Sequence, residues 1–194
     1  SPLFSAFGPE PIRTRMEIGE ANAVVTTESI YRRKIAKWRD EIPSLKVVFL
    51  VDVDEAPEGC VALGPALAAA SEEFEVAQTQ PEDMALIHFT SGTTGRPKGV
   101  VYHHRGAYLS TLGQVISWRM TMYPRLLTIV PLFHCNSWCH PWMMPALAGT
   151  IICCRDITAK NIYHAISVEG ATHFGGAPIV LNAIVNAPED DRMP

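Results

Sequence analysis

Met84-Ala-Leu-Ile-His-Phe-Thr90-Ser-Gly-Thr-Thr-Gly-Arg-Pro-Lys98-Gly99 is the stretch on which the fold of this chain turns. Its first six residues are nearly all apolar and read as a buried strand. The next ten pack four hydroxyl side chains, three glycines and two cations into a loop. The same alternation of strand and helix continues in both directions. Downstream, residues 105–118 read as a helix, 126–131 as a strand, 138–148 as a helix and 150–154 as a strand. A helix over 159–169, a strand over 171–174 and a helix over 178–186 follow. Upstream, helices are expected over 9–17 and 28–41, with Ile35, Trp38 and Ile42 at helical spacing, and strands over 22–26 and 46–51. Apolar strands separated by helices predict an α/β fold, a mainly parallel sheet with helices on both faces. In such folds ligands sit beyond the carboxyl ends of strands, so the loops after Phe89 and after Pro131 are the places to look.

Each part of the loop after Phe89 has a use against a polyphosphate. Glycines let backbone approach an anion with no Cβ in the way, and successive N–H groups can form an anion-binding concavity. Hydroxyls add donors, while Arg96 and Lys98 add charge-assisted bonds. A Walker A loop is excluded by spacing, because Lys98 is preceded by Pro97 and followed by Gly99. The plain alternative is a flexible Gly/Thr loop that binds nothing.

Composition narrows the classes. The chain has 194 residues, 47% hydrophobic and 19% charged, with a net charge of −4. That is a globular chain long enough to bury a core, without the basic excess of a nucleic-acid binder. No run suits an integral membrane span, since the most apolar one, residues 142–154, is short and broken by Pro145 and Gly149. The N-terminus does not look like a signal peptide. The five cysteines are an odd set, and adjacent Cys153 and Cys154 read as buried strand thiols of a reducing compartment, the cytoplasm or an organelle matrix. Charge is unevenly placed. Between Lys46 and Arg96 there are nine acids and no Lys or Arg, which suggests an acidic surface excursion over about 52–83. From Arg96 to Arg125 there are five cations and no acid.

The loop after Pro131 holds His134, Cys135, Cys139 and His140 within seven residues. Zinc sites bring two well-separated ligand pairs together. Cys139 and His140, adjacent on an expected helix, would diverge instead, so no metal ligands are assigned. His134 and Trp138 could serve a pocket or simply pack.

Thr90 to Gly99 resembles the signature loop of the adenylate-forming, or AMP-binding, superfamily, close to [Ser/Thr]-Ser-Gly-[Thr/Ser]-Thr-Gly-x-Pro-Lys-Gly, and matches it at every fixed place. That superfamily includes acyl-CoA synthetases, aryl-CoA ligases, luciferases and peptide-synthetase adenylation domains. The resemblance implies that Thr90, Ser91, Gly92, Thr93, Thr94, Gly95, Arg96, Pro97 and Lys98 bind the phosphates of ATP. Lys98 would neutralise the departing pyrophosphate. Pro131-Leu-Phe-His134 and the string His134-Cys-Asn-Ser-Trp138-Cys139 are similar to medium-chain and related short-chain acyl-CoA synthetases. This implies a catalytic-site His134 near the substrate carboxylate and an acyl pocket shaped by Trp138. Gly175-Gly176-Ala177-Pro178 matches a strand-to-helix turn of those enzymes, where Gly176, Ala177 and Pro178 would border the cleft; a plain turn is the alternative.

The resemblance covers nearly the whole chain and implies an ATP-dependent, AMP-forming acid–CoA ligase of fatty acid metabolism. Its substrate would be a short- or medium-chain carboxylate, with ATP, CoA and Mg2+. By the same resemblance, residues 1–194 are expected to be an interior portion of the large N-terminal domain. The later Tyr-Gly-x-Thr-Glu element and the C-terminal catalytic domain are absent, and the fragment alone is expected to be inactive. The competing class is a non-catalytic nucleotide- or zinc-binding interaction module.

Overall fold

The computed structural model describes residues 1–90 and 96–193, in two compact units.

One unit comprises Leu3–Thr79 with Phe89–Val100. Helix α1 (Pro9–Ile18) starts with proline in its first turn, where the missing N–H costs nothing. It buries Ile12 and Met16. Helix α2 (Glu28–Lys34) is capped by Thr27, whose hydroxyl accepts from Ile30 N–H. It has an acid in its first turn and three cations in its last, in register with the helix dipole. The expected helix over 28–41 therefore stops early. Ile35 and Ala36 N–H both bond Tyr31 C=O, and the chain passes through turns into a short 3-10 segment, Arg39–Glu41. Ile35, Trp38 and Ile42 are all buried. A spacing of three and four residues fits a chain of turns as well as one helix, which is why periodicity overran the end.

Strands β1 (Ala23–Thr26), β2 (Val47–Leu50) and β3 (Val61–Ala62) form a parallel sheet in that order. Val24 pairs Val48 and Phe49 pairs Val61. Val48 and Leu50, alternate residues of the central strand, are fully buried against α1 and α2 residues. Strand β3 was not expected, since two paired residues give no periodic signal. It leads into α3 (Leu63–Ala68).

The other unit contains Ser1–Pro2, Gln80–His88 and Val101–Pro194. Strand β4 (Met84–Thr90) pairs with β5 (Lys98–His103), a strand absent from the sequence reading. The connection is too short for a parallel crossover, so the pair is antiparallel. Arg105 N–H donates to Pro81 C=O at 2.8 Å and His104 N–H to Asp83 C=O at 3.2 Å, closing the open end of this hairpin. Helix α4 (His104–Ser117) begins on His103, whose Nδ1 accepts from Gly106 N–H at 2.7 Å.

Strand β6 (Arg125–Thr128) is central to a second parallel sheet, flanked by β7 (Thr150–Cys153) and β8 (His173–Phe174). Helices α5 (His140–Ala146), α6 (Ala159–Ser167) and α7 (Pro178–Val185) cover it. Side chains alternate across a strand. Leu126 accordingly packs with Met120, Met143, Met144 and Leu147, while Leu127 packs with Ile152, Ile162, Ala165 and the α7 residues Val180 and Ile184. Both leucines are essentially inaccessible to solvent. The expected parallel sheet with helices on both faces is thus realised around β6. The expectation of two buried strand thiols fails: Cys153 is exposed, and Cys154 is half-buried and lies one residue past the strand. Strand β7 is the edge of its sheet, and only Ile152 of its four residues is buried. No helix among the described residues is long and apolar enough to cross a membrane.

Candidate functional site

The phosphate-loop candidates lie at the closed end of the β4–β5 hairpin. Thr90 is the last residue of β4 and Lys98 the first of β5, so the paired strands hold both ends of the loop. Thr90, Arg96 and Lys98 are exposed and Pro97 half-buried; Ser91, Gly92, Thr93, Thr94 and Gly95 lie outside the described residues. Lys98 forms no ion pair among the described residues. Phe89, just before Thr90, is seated by Arg15. That guanidinium lies 4.3 Å over the Phe7 ring and 5.8 Å from the Phe89 ring, and its Nη1 donates to Pro11 C=O at 2.8 Å. Burial lowers its pKa from the usual arginine value, and the aromatic faces offset part of that desolvation.

The second cluster follows β6. His134 is exposed and opens a turn in which its N–H donates to Pro131 C=O at 3.0 Å. A 3-10 segment, Cys135–Cys139, then runs into α5. Its last three residues have left-handed backbone, with φ of 50° at Ser137, 52° at Trp138 and 64° at Cys139. Each such L-residue costs on the order of 1–2 kcal/mol, and three in succession persist only where surrounding contacts hold them. Those contacts are aromatic. The rings of Trp118 and Trp138 meet edge to face at 6.1 Å, and His140 lies 5.0 Å from Trp118 and 6.2 Å from Trp138. Such pairs are worth about 0.5–1.5 kcal/mol each beyond area burial. Gly175, just after β8, faces the same rings. A Cβ there would stand 2.8 Å from Cζ3 of Trp138 and 3.0 Å from Cη2 of Trp118. The structure thus brings together two segments singled out in the sequence, Trp138 and the turn containing Gly176, Ala177 and Pro178. Gly176 lies against Val180, Ala177 is the N-cap of α7, and Pro178 is its first residue.

Three residues of this cluster escaped the sequence reading: Trp118, His140 and Gly175. Trp118 looked like the end of an ordinary helix. His140 drew attention only as a metal ligand. Gly175 belonged to a quoted motif, but nothing in the motif pointed to a ring contact.

No group of three His, Cys, Asp or Glu side chains converges among the described residues. Cys139 Sγ donates to Ser110 Oγ at 3.2 Å. His140 is 3% exposed, and its Nε2 has no hydrogen-bond partner among the described residues. Burial alone lowers its pKa from the usual imidazole value of about 6.5. The folded chain therefore prefers the neutral ring, while the unfolded chain takes up the proton first. Stability from this group is complete above the ordinary imidazole range and falls as pH drops through it. Thermal melts between pH 7.5 and pH 5 should show a declining midpoint, and His140→Phe should remove part of that slope. An unchanged slope in the variant would exclude His140 as its source.

The model of the family described as AMP-binding enzyme matches residues 1–193. The chain belongs to this family. Among its curated relatives, a peroxisomal acetate/butyrate–CoA ligase of Arabidopsis thaliana is 53% identical over 107 residues, covering 55% of this chain and 19% of the relative. A peroxisomal trans-cinnamate:CoA ligase of Petunia hybrida is 44% identical over 169 residues, 87% of this chain and 27% of the relative. Of solved structures, ATP-bound MatB from Rhodopseudomonas palustris superposes with a TM-score of 0.80 at 26% identity, over 96% of this chain and 36% of that one. The N-terminal domain of FACL13 from Mycobacterium tuberculosis gives 0.84 at 21% identity over 97% of this chain and 46% of that one, a likeness of fold. The chain spans about a fifth to a quarter of the length of the first curated relatives, between 19% and 27%.

Proposed function

We propose that this AMP-binding chain serves an ATP-dependent, AMP-forming carboxylate–CoA ligase. The observation that carries the reading is the uninterrupted match of Thr90–Gly99 to the family's signature loop. Its two ends lie on paired strands, so strand pairing fixes where the loop leaves and returns. In the first step a substrate carboxylate oxygen forms a bond to the α-phosphorus of ATP, and the bond from that phosphorus to the pyrophosphate oxygen breaks. Thr90 to Pro97 hold the outer phosphates, and the Lys98 ammonium balances the charge that grows on the leaving pyrophosphate. In the second step the CoA sulfur attacks the acyl carbon, loses its proton, and displaces AMP.

His134 is proposed to meet the substrate carboxylate, and Trp138 with Gly176, Ala177 and Pro178 to wall the acyl chain. Relatives named for acetate, butyrate and 2-methylpropanoate support a short- or medium-chain acid, and a cinnamate–CoA relative shows how far pockets in this family vary. Magnesium, implied by the family resemblance, would neutralise phosphate charge; the described residues offer it no cluster of acids, so it is assigned no ligand in this chain. Relatives named as peroxisomal favour an organelle matrix over the cytoplasm.

The test is product analysis of the full-length protein given acetate or butyrate, ATP and CoA. Equal amounts of AMP, pyrophosphate and acyl-CoA are expected. Release of ADP and phosphate in place of AMP and pyrophosphate would overturn the reading.

A further inference from the structure

We infer that Gly175 and Trp118 are specificity-determining positions that act by setting where the Trp138 ring stands. The inference rests on the proposal that Trp138 walls the acyl pocket, and it adds what holds that wall. The left-handed backbone at Ser137, Trp138 and Cys139 is unfavourable by itself, so contacts beyond the turn have to hold it. The position of the ring is set by neighbours on three other elements. Trp118, just after α4, and His140, at the start of α5, meet it edge to face. Gly175, after β8, lies so close that the smallest side chain would overlap Cζ3 of Trp138 and crowd Cη2 of Trp118.

Gly175 does not carry a left-handed φ, so its backbone conformation admits an L-residue and the demand for glycine there is steric. A methyl at this position has to displace a ring, and the Trp138 ring is already backed by two others. The added methyl stands next in sequence to Gly176 and Ala177, which are proposed to border the acyl chain, so the ring it displaces belongs to the proposed wall. Removing the Trp118 indole has the opposite consequence, because it opens space into which Trp138 can retreat. Closely packed interiors transmit such shifts instead of absorbing them.

The experiment compares kcat/KM of the full-length protein for acetate, butyrate and hexanoate. In Gly175→Ala the hexanoate-to-acetate ratio should fall by about tenfold or more, chiefly through KM, since one methylene of pocket depth is worth roughly 10–200-fold. In Trp118→Leu the ratio should rise. In a Trp138→Ala background, Gly175→Ala should leave the ratio unchanged, because its effect runs through the missing ring. A general loss of stability would lower all three acids together and would persist in that background. Ratios within about twofold of wild type in both single variants, or an undiminished effect without Trp138, would overturn the inference and leave the ligase reading intact. If Gly175→Ala does not fold, the comparison of Trp118→Leu with and without Trp138→Ala decides in the same way. A wild-type protein that activates no carboxylate overturns both.

Discussion

Replacing Lys98 by alanine should lower carboxylate-dependent pyrophosphate release by about 10²–10³-fold, the usual effect of removing one preorganised partner of a developing charge. The expectation follows from where the residue stands. Lys98 is the first residue of β5, so hydrogen bonding to β4 places its backbone, while its side chain is exposed and uncommitted to any described carboxylate. The loss should appear in kcat as well as kcat/KM, because the charge it balances grows as pyrophosphate leaves. Thioester formation from chemically prepared acyl-adenylate should be spared, since pyrophosphate has already gone. Lys98→Arg should recover only part of the rate, as a planar guanidinium is a poor substitute for a compact ammonium. Lys160→Ala, on the exposed first turn of α6, should have no effect. Equal losses in Lys98→Ala and Lys160→Ala would remove Lys98 from the proposed role.

The second large effect concerns stability. Leu126→Ala should destabilise the unit built on β6 by about 3 kcal/mol, within the usual range for a buried leucine. Leu126 is inaccessible to solvent, lies on the central strand, and shares its core cluster with two methionines of α5 that are themselves inaccessible. The methyl groups removed have no water to replace their contacts, and strands on both sides keep the backbone from closing the cavity. For a chain of this size the melting midpoint should drop by roughly 6–12 °C. Leu127→Ala should behave alike through the opposite face. Ile116→Ala, at a residue 77% exposed, should change stability by no more than about 0.5 kcal/mol. Similar midpoints for Leu126→Ala and Ile116→Ala would contradict the layered core.

Much of this architecture was legible in the residues. Leu126-Leu127 and Val47 to Leu50 announce buried strands because continuous apolar runs have few other uses. What was illegible has physical causes. Strand β5 follows a glycine-rich loop and holds exposed Val100 and Val101, so it offered no burial pattern. Strand β3 is too short for any. Ile35, Trp38 and Ile42 recur at helical spacing and are all buried, but they sit on turns past the end of α2. Cys153 and Cys154 read as buried strand thiols because the five cysteines lack disulfide spacing, but an edge strand leaves Cys153 exposed and Cys154 half-buried.

The candidate site divides in the same way. The loop from Thr90 to Gly99 could be recognised because its motif is local: every fixed place of the signature lies within ten residues. The surroundings of Trp138 could not, since Trp118, His140 and Gly175 come from three separate elements that meet only in the fold.

In the proposed reaction a carboxylate reacts with ATP before CoA takes part. Carboxylate-dependent exchange of labelled pyrophosphate into ATP, measured on the full-length protein without CoA, tests it most directly. Exchange is expected to require a short- or medium-chain acid and to fade with Lys98→Ala. Exchange that needs CoA, or none with any acid while CoA thioester still forms, would contradict it.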